Sequence, residues 1–164
     1  MKPFAWALFL VVTLVVQTTV LPLIAVAGAR PDLLLLVVVS AGLLLGREHG
    51  VGMGFFAGLL QDLASGNVFG VNVLSKTAAG YVAGLVEQKV FKENVLLPLL
   101  AVILATVFNN ALMLMMLAFL GFAVDIPTAV ANTMFVLGYN TVLAIPVHRI
   151  VYHMAKSELH NPNG

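Results

Sequence analysis

The chain contains no cysteine, so disulfides, thiolate metal sites and cysteine nucleophiles are all excluded. Charge is also scarce: Asp, Glu, Lys and Arg make up 9% of the 164 residues, against roughly 25% in soluble domains. The net charge is only +1 and the eight Lys and Arg residues are scattered. A nucleic-acid partner is therefore not expected, because neutralising phosphates needs a clustered basic surface. Hydrophobic residues reach 61%, against roughly 45–50% in soluble domains, which is more than one water-soluble core can use. These proportions describe an all-α integral membrane protein whose short polar connections leave no room for a soluble catalytic domain.

Uncharged runs mark the spans, since about 20 apolar residues cross a hydrocarbon core and a charge at its centre costs a few kcal/mol. The run from Pro3 to Ala29 far exceeds the roughly 7–15-residue core of a cleaved signal peptide and reads as a first span. Six segments result in all, at about 4–27, 31–46, 51–66, 71–87, 95–122 and 127–149, forming a single transmembrane domain. The third and fourth are short, about 24 Å each, which leaves open whether they cross fully or re-enter. With the N terminus in the cytoplasm, Lys2, Arg47, Lys89, Lys92, Arg149 and Lys156 share the cytoplasmic side, while Arg30 lies outside and Lys76 within the membrane. That asymmetry places both termini inside. The Glu87 to Glu93 connection, with two bases and two acids, reads as a solvated loop.

The third and fourth segments mirror each other about Phe69. If both are helices running antiparallel, Gly54 faces Gly84, Gly58 faces Gly80, and Asp62 meets Lys76 as an ion pair at one depth. Glycine at i and i+4 lets helix backbones approach closely, which is how helices associate in lipid. A structural pair competes with a bound ligand or a proton path as the reason for these charges, because intramembrane charges are functional by default. One pair does not make a path across a bilayer. Similar counting from the turn near Val124 and Asp125 puts Asn109 and Asn140 at one depth, where they could hydrogen-bond as interhelical glue. Gln17 is too deep for water and belongs in the bundle interior.

No catalytic constellation emerges. His49, His148, His153 and His160 map to the cytoplasmic edge, without an HExxH pairing that would bind zinc. Ser40, Ser65 and Ser75 have no histidine at their own depth to activate them. The expectation is no enzyme, no cofactor and no metal.

Gln17, Leu21-Pro22, Pro31-Asp32, the Gly46 to Gly50 turn, Gly54-Phe55, Gly58-Leu59-Leu60, Asp62, Gly70, Leu74-Ser75-Lys76 and Gly80-Tyr81 together resemble the MreD family of bacterial rod shape-determining membrane proteins. The match runs from Gln17 to Gly84; beyond it only hydrophobic pattern and length agree. The resemblance implies a non-enzymatic scaffold of the cell-elongation machinery in the inner membrane, helping to regulate peptidoglycan synthesis. It implies MreC as direct partner, with RodA, a class B penicillin-binding protein and MreB nearby, and leaves self-association open. The family is also similar in fold to the six-helix substrate-binding subunits of energy-coupling-factor transporters. That kinship supplies the alternative function, a vitamin-binding subunit, for which the residues beside the hairpin tip would be Phe69, Asn67 and Asn72. An Ala25 and Ala29 pair would form the small-residue seam of such a subunit.

Overall fold

A computed structural model describes residues 3–86 and 96–159, with side chains to residue 156. Among the described residues it is all-helical, with six α-helices in which successive members reverse direction: α1 Pro3–Thr19, α2 Leu33–Leu45, α3 Arg47–Ser65, α4 Val71–Val86, α5 Leu96–Phe119 and α6 Ile126–Leu159. The Glu87 to Glu93 connection lies outside the described residues. α5 and α6 are each long and apolar enough to cross a membrane.

Several polar side chains are buried while many large apolar ones face outward. Asp62, Lys76, Ser75, Thr106, Asn109 and Asn140 are buried, while Phe119, Leu23, Phe4 and Val142 are more than 70% exposed. Polar groups inside and hydrocarbon outside suit a lipid solvent, where every interior polar atom must find its partner within the protein. This pattern and the two long apolar helices describe a membrane protein.

α2 is the centre of the bundle. Its 13 residues are apolar on every side except Ser40 and Gly42, as expected of a helix surrounded by others, and it packs against each of the other five helices. Residues from Leu34 to Leu44 are all buried. It is about 20 Å long at 1.5 Å per residue.

Gly46 alone joins α2 to α3, at φ 90° and ψ 178°. That left-handed φ is strained for any residue with a Cβ. The anticipated Gly46 to Gly50 turn is thus a one-residue corner, and α3 begins four residues earlier than the expected segment.

The first segment was expected to run from residue 4 to 27, but α1 stops at Thr19 and a 3-10 turn follows at Leu21–Ile24. Pro22 stands in that turn; it lacks an N–H and cannot continue the helical ladder. Ala25 and Ala29 are not helical, so they form no seam on one helix face; Val26 and Ala29 instead pair their backbones in a tight turn.

The α3–α4 hairpin has the expected close glycine seam in a different register. A Cβ on Gly54 would strike the backbone of Lys76 and Thr77, one on Gly58 that of Asn72 and Val73, one on Gly80 that of Gly50, and one on Gly84 that of Arg47. Gly54 therefore faces Thr77 rather than Gly84, and Gly58 faces Val73 rather than Gly80. The displacement is seven residues of α4, about 10 Å. Gly42 of α2 joins the seam, because its Cβ would sit 2.9 Å from the Gly80 carbonyl oxygen. Three helices thus meet backbone to backbone at Gly42, Gly50 and Gly80.

Candidate functional site: a polar cavity at the end opposite the N terminus

The register change has a specific cause. Asp62, on the last turns of α3, accepts hydrogen bonds from the backbone N–H of Gly70 at 2.8 Å and of Asn72 and Val73 at 3.2 Å, and from the Asn72 side-chain amide at 2.9 Å. Those N–H groups are the unsatisfied donors at the start of α4, and the carboxylate also faces the positive end of that helix dipole. Gathering them draws the first turn of α4 down beside Asp62. A turn symmetric about Phe69 would have left it level with the chain's reversal point.

Lys76 is thereby carried away from Asp62, and the expected ion pair between them does not form. The Lys76 ammonium instead lies 2.7 Å from Asp32 Oδ2. Asp32 has two further tasks: Oδ1 accepts from the Leu35 N–H at 3.0 Å, capping α2, and its own N–H donates to Asn140 Oδ1 at 2.9 Å. Asn72 links Asp62 to Lys76, donating to the carboxylate and accepting from the ammonium at 3.4 Å. Lys76 is fully enclosed, whereas the Asp32 side chain keeps 16% exposure.

Asn109 and Asn140 are both buried, but they do not bond to each other. Asn140 donates to Thr106 Oγ1 at 3.0 Å, one helical turn from Asn109, because its carbonyl end is already held by Asp32. Asn109 donates weakly to Asn110, which donates to Thr133. Gln17 is in the interior as expected, and Oε1 accepts the Leu34 N–H at 3.0 Å, a second cap on α2.

Gln17, Asp32, Asn72 and Asn109 line a cavity of about 710 Å³ between α1, α3, α4, α5 and α6, while Asp62, Lys76, Thr106 and Asn140 stand behind its lining. Arg30, Asn67, Asn72, Asn109, Asn110 and Asn132 line it, together with Gln17, Gln61 and Asp32. Two buried acceptors of its lining residues, Gln61 Oε1 and Asn109 Oδ1, have no hydrogen-bond partner among the described residues. A buried acceptor without a donor costs roughly 1–3 kcal/mol. Of the sequence-derived candidates, Asp62 and Lys76 stand behind it, Asn109 lines it, and Asn140 braces it. Gly54, Gly58, Gly80 and Gly84 lie in the seam, outside its lining. Asn67 and Asn72 line it as expected of the hairpin tip, while Phe69 is exposed and not part of it.

Asp32 was the residue missed. Its position three before Leu35 and immediately before an apolar run is the pattern of an N-cap, and that signal was present in Pro31-Asp32-Leu33-Leu34-Leu35.

The family model for rod shape-determining protein MreD matches residues 1–157. The chain belongs to the MreD family. Neither a curated protein nor a solved structure matches it significantly. As a member of a shape-determining family, this MreD-family chain is a cell-shape protein of the membrane. Among its described residues, no group of three or more His, Asp or Glu could hold a metal ion.

Proposed function

We propose that this chain is a non-enzymatic scaffold of the cell-elongation machinery that binds MreC and so helps regulate peptidoglycan synthesis. The observation that carries the proposal is the preformed polar cavity, whose lining is tied to four helices through Asp62, Asn72, Lys76, Asp32 and Asn140. A surface that need not reorder loses less entropy when a partner docks. The amide side chains of Asn67, Asn109, Asn132 and Gln61 along its lining suit the backbone polar groups of a juxtamembrane segment entering from that side. Arg47, Arg149 and Lys156 stand at the other end of the bundle, and the excess of basic residues there supports a cytoplasmic location for it. On this reading the protein is multi-pass in the inner membrane, with the cavity facing out.

The test is recovery of MreC with the purified protein. Asn109→Leu and Gln61→Leu should lower MreC recovery with little change in the melting temperature in detergent, since Asn109 gives up only a 3.4 Å bond to Asn110 and neither side-chain oxygen has an internal partner to lose. Undiminished recovery from the double variant refutes the cavity as the docking place.

The same cavity favours a second reading, a vitamin-binding subunit similar to those of energy-coupling-factor transporters. Native mass spectrometry of the protein purified without MreC separates the two: a retained small molecule supports the vitamin reading, and an empty chain that captures MreC supports the scaffold.

A further inference from the structure

Three glycines of α3 are accounted for by helix contacts: Gly50, Gly54 and Gly58 each touch the backbone of α4. Gly52 is not. A Cβ there would have nothing within 4 Å, so none of the described residues requires it to be small. Glycine inside a helix costs about 1 kcal/mol relative to alanine.

Gly52 lies in the wall of a groove of about 510 Å³ between α1 and α3. The buried Trp6 of α1 and Met53 of α3 also line it, and its walls are apolar except at one end, where Glu48 and His49 form the rim. From His49 to Leu60, the last α3 residue lining it, the groove runs eleven residues, about 16 Å of helix. Half of a hydrocarbon core is about 15 Å, so the groove spans one leaflet, on the side of the N terminus. A transmembrane helix crosses both leaflets, whereas the hydrocarbon chain of a lipid ends within one, as this groove does.

The rim has its own chemistry. His49 Nδ1 lies 3.0 Å from the Leu45 carbonyl oxygen, which can only accept, so in the neutral ring Nε2 is left as an acceptor. Glu48 beside it is exposed. A carboxylate and an imidazole acceptor suit a headgroup that carries an ammonium.

We propose that the α1–α3 groove holds one acyl chain of a phospholipid from the leaflet on the N-terminal side, with an ethanolamine headgroup against Glu48 and His49. The absent side chain at Gly52 leaves the chain its path, and Trp6 lies beside it.

Trp6 is the single tryptophan of the sequence, so its fluorescence reports on this groove alone. The full chain is reconstituted in phosphatidylcholine vesicles containing a small fraction of phosphatidylethanolamine with a brominated acyl chain. Quenching of Trp6 should saturate at a low fraction of the brominated lipid, and Gly52→Phe, whose ring would occupy the groove, should lose most of it. Quenching that rises in proportion to bulk brominated lipid and is equal in Gly52→Phe overturns the proposal. Brominating the phosphatidylcholine instead should quench less in the wild-type protein, and Glu48→Gln should abolish that difference; equal quenching by both headgroups in the wild type overturns the headgroup assignment. Native mass spectrometry of the wild-type protein needs no variant: one retained phosphatidylethanolamine is expected, and retention of no phospholipid, or of a polypeptide in its place, refutes the site.

Discussion

Lys76 Nζ lies 2.7 Å from Asp32 Oδ2, and the two partners differ in exposure, the lysine fully enclosed and the aspartate side chain 16% exposed. Removing one partner of a buried pair leaves the other charge uncompensated, and the cost depends on how well that charge can reach water. Asp32→Asn keeps the α2 cap, because asparagine caps as well as aspartate, but strands the ammonium in the interior. It should destabilise the protein by about 3 kcal/mol. Lys76→Met strands a carboxylate that retains its cap and the cavity, and should cost only about 1 kcal/mol. The double variant should be more stable than Asp32→Asn alone. Melting in detergent measures all three, and equal losses from the two single changes would count against this asymmetry.

Asp62 holds four donors at the start of α4. Asp62→Ala leaves them bare in a buried setting, where each unsatisfied group costs roughly 1–3 kcal/mol. Amide hydrogen exchange at Gly70, Asn72 and Val73 should accelerate strongly, while exchange in the centre of α2 changes little. Unchanged exchange at those three amides would show that the carboxylate does not organise the hairpin tip.

The glycine seam makes opposite predictions for neighbouring positions on one helix. Gly54→Ala and Gly58→Ala place a methyl group against α4 backbone, which cannot move aside as a side chain can, and each should destabilise by about 1–3 kcal/mol or more. Gly52→Ala meets nothing and should stabilise by up to about 1 kcal/mol through helix propensity alone. Thermal unfolding of the three variants under one set of conditions decides it.

Asn140 and Thr106 join α6 to α5 by a fully buried hydrogen bond of 3.0 Å. A double-mutant cycle with Asn140→Leu and Thr106→Val should give a coupling of about 0.6–2 kcal/mol. The same cycle with Asn109 in place of Thr106 should give none, because Asn140 and Asn109 share no bond.

Helix number, the close α3–α4 hairpin and the interior place of Gln17 were all legible in the sequence, because charge-free runs and glycine spacing act locally. The ion-pair partner of Lys76 was not. Counting outward from Phe69 assumes that a turn is symmetric, and Asp62 breaks that symmetry by capping the helix that follows. The Asn109–Asn140 contact failed for a related reason: depth narrows the choice to about one helical turn, and the competing demand of the Asp32 N–H on Asn140 then selects Thr106. The central place of α2 was hidden because a short run of leucine and valine carries no face to read, so its period could not say that it has neighbours on every side. The unpartnered acceptors of Asn109 and Gln61 depend on five helices meeting, which no local pattern encodes.

The pairing of Asp32 with Lys76 spans 44 residues, and this fixes an order of events during synthesis. A nascent chain that ends anywhere before α4 carries Asp32 at the mouth of α2 with no counter-ion, on a 13-residue helix joined to its successor by Gly46 alone. Electroneutrality at that site arrives only with the emergence of Lys76. The second and fourth helices are therefore joined by a charge pair that only a chain extended as far as Lys76 can complete.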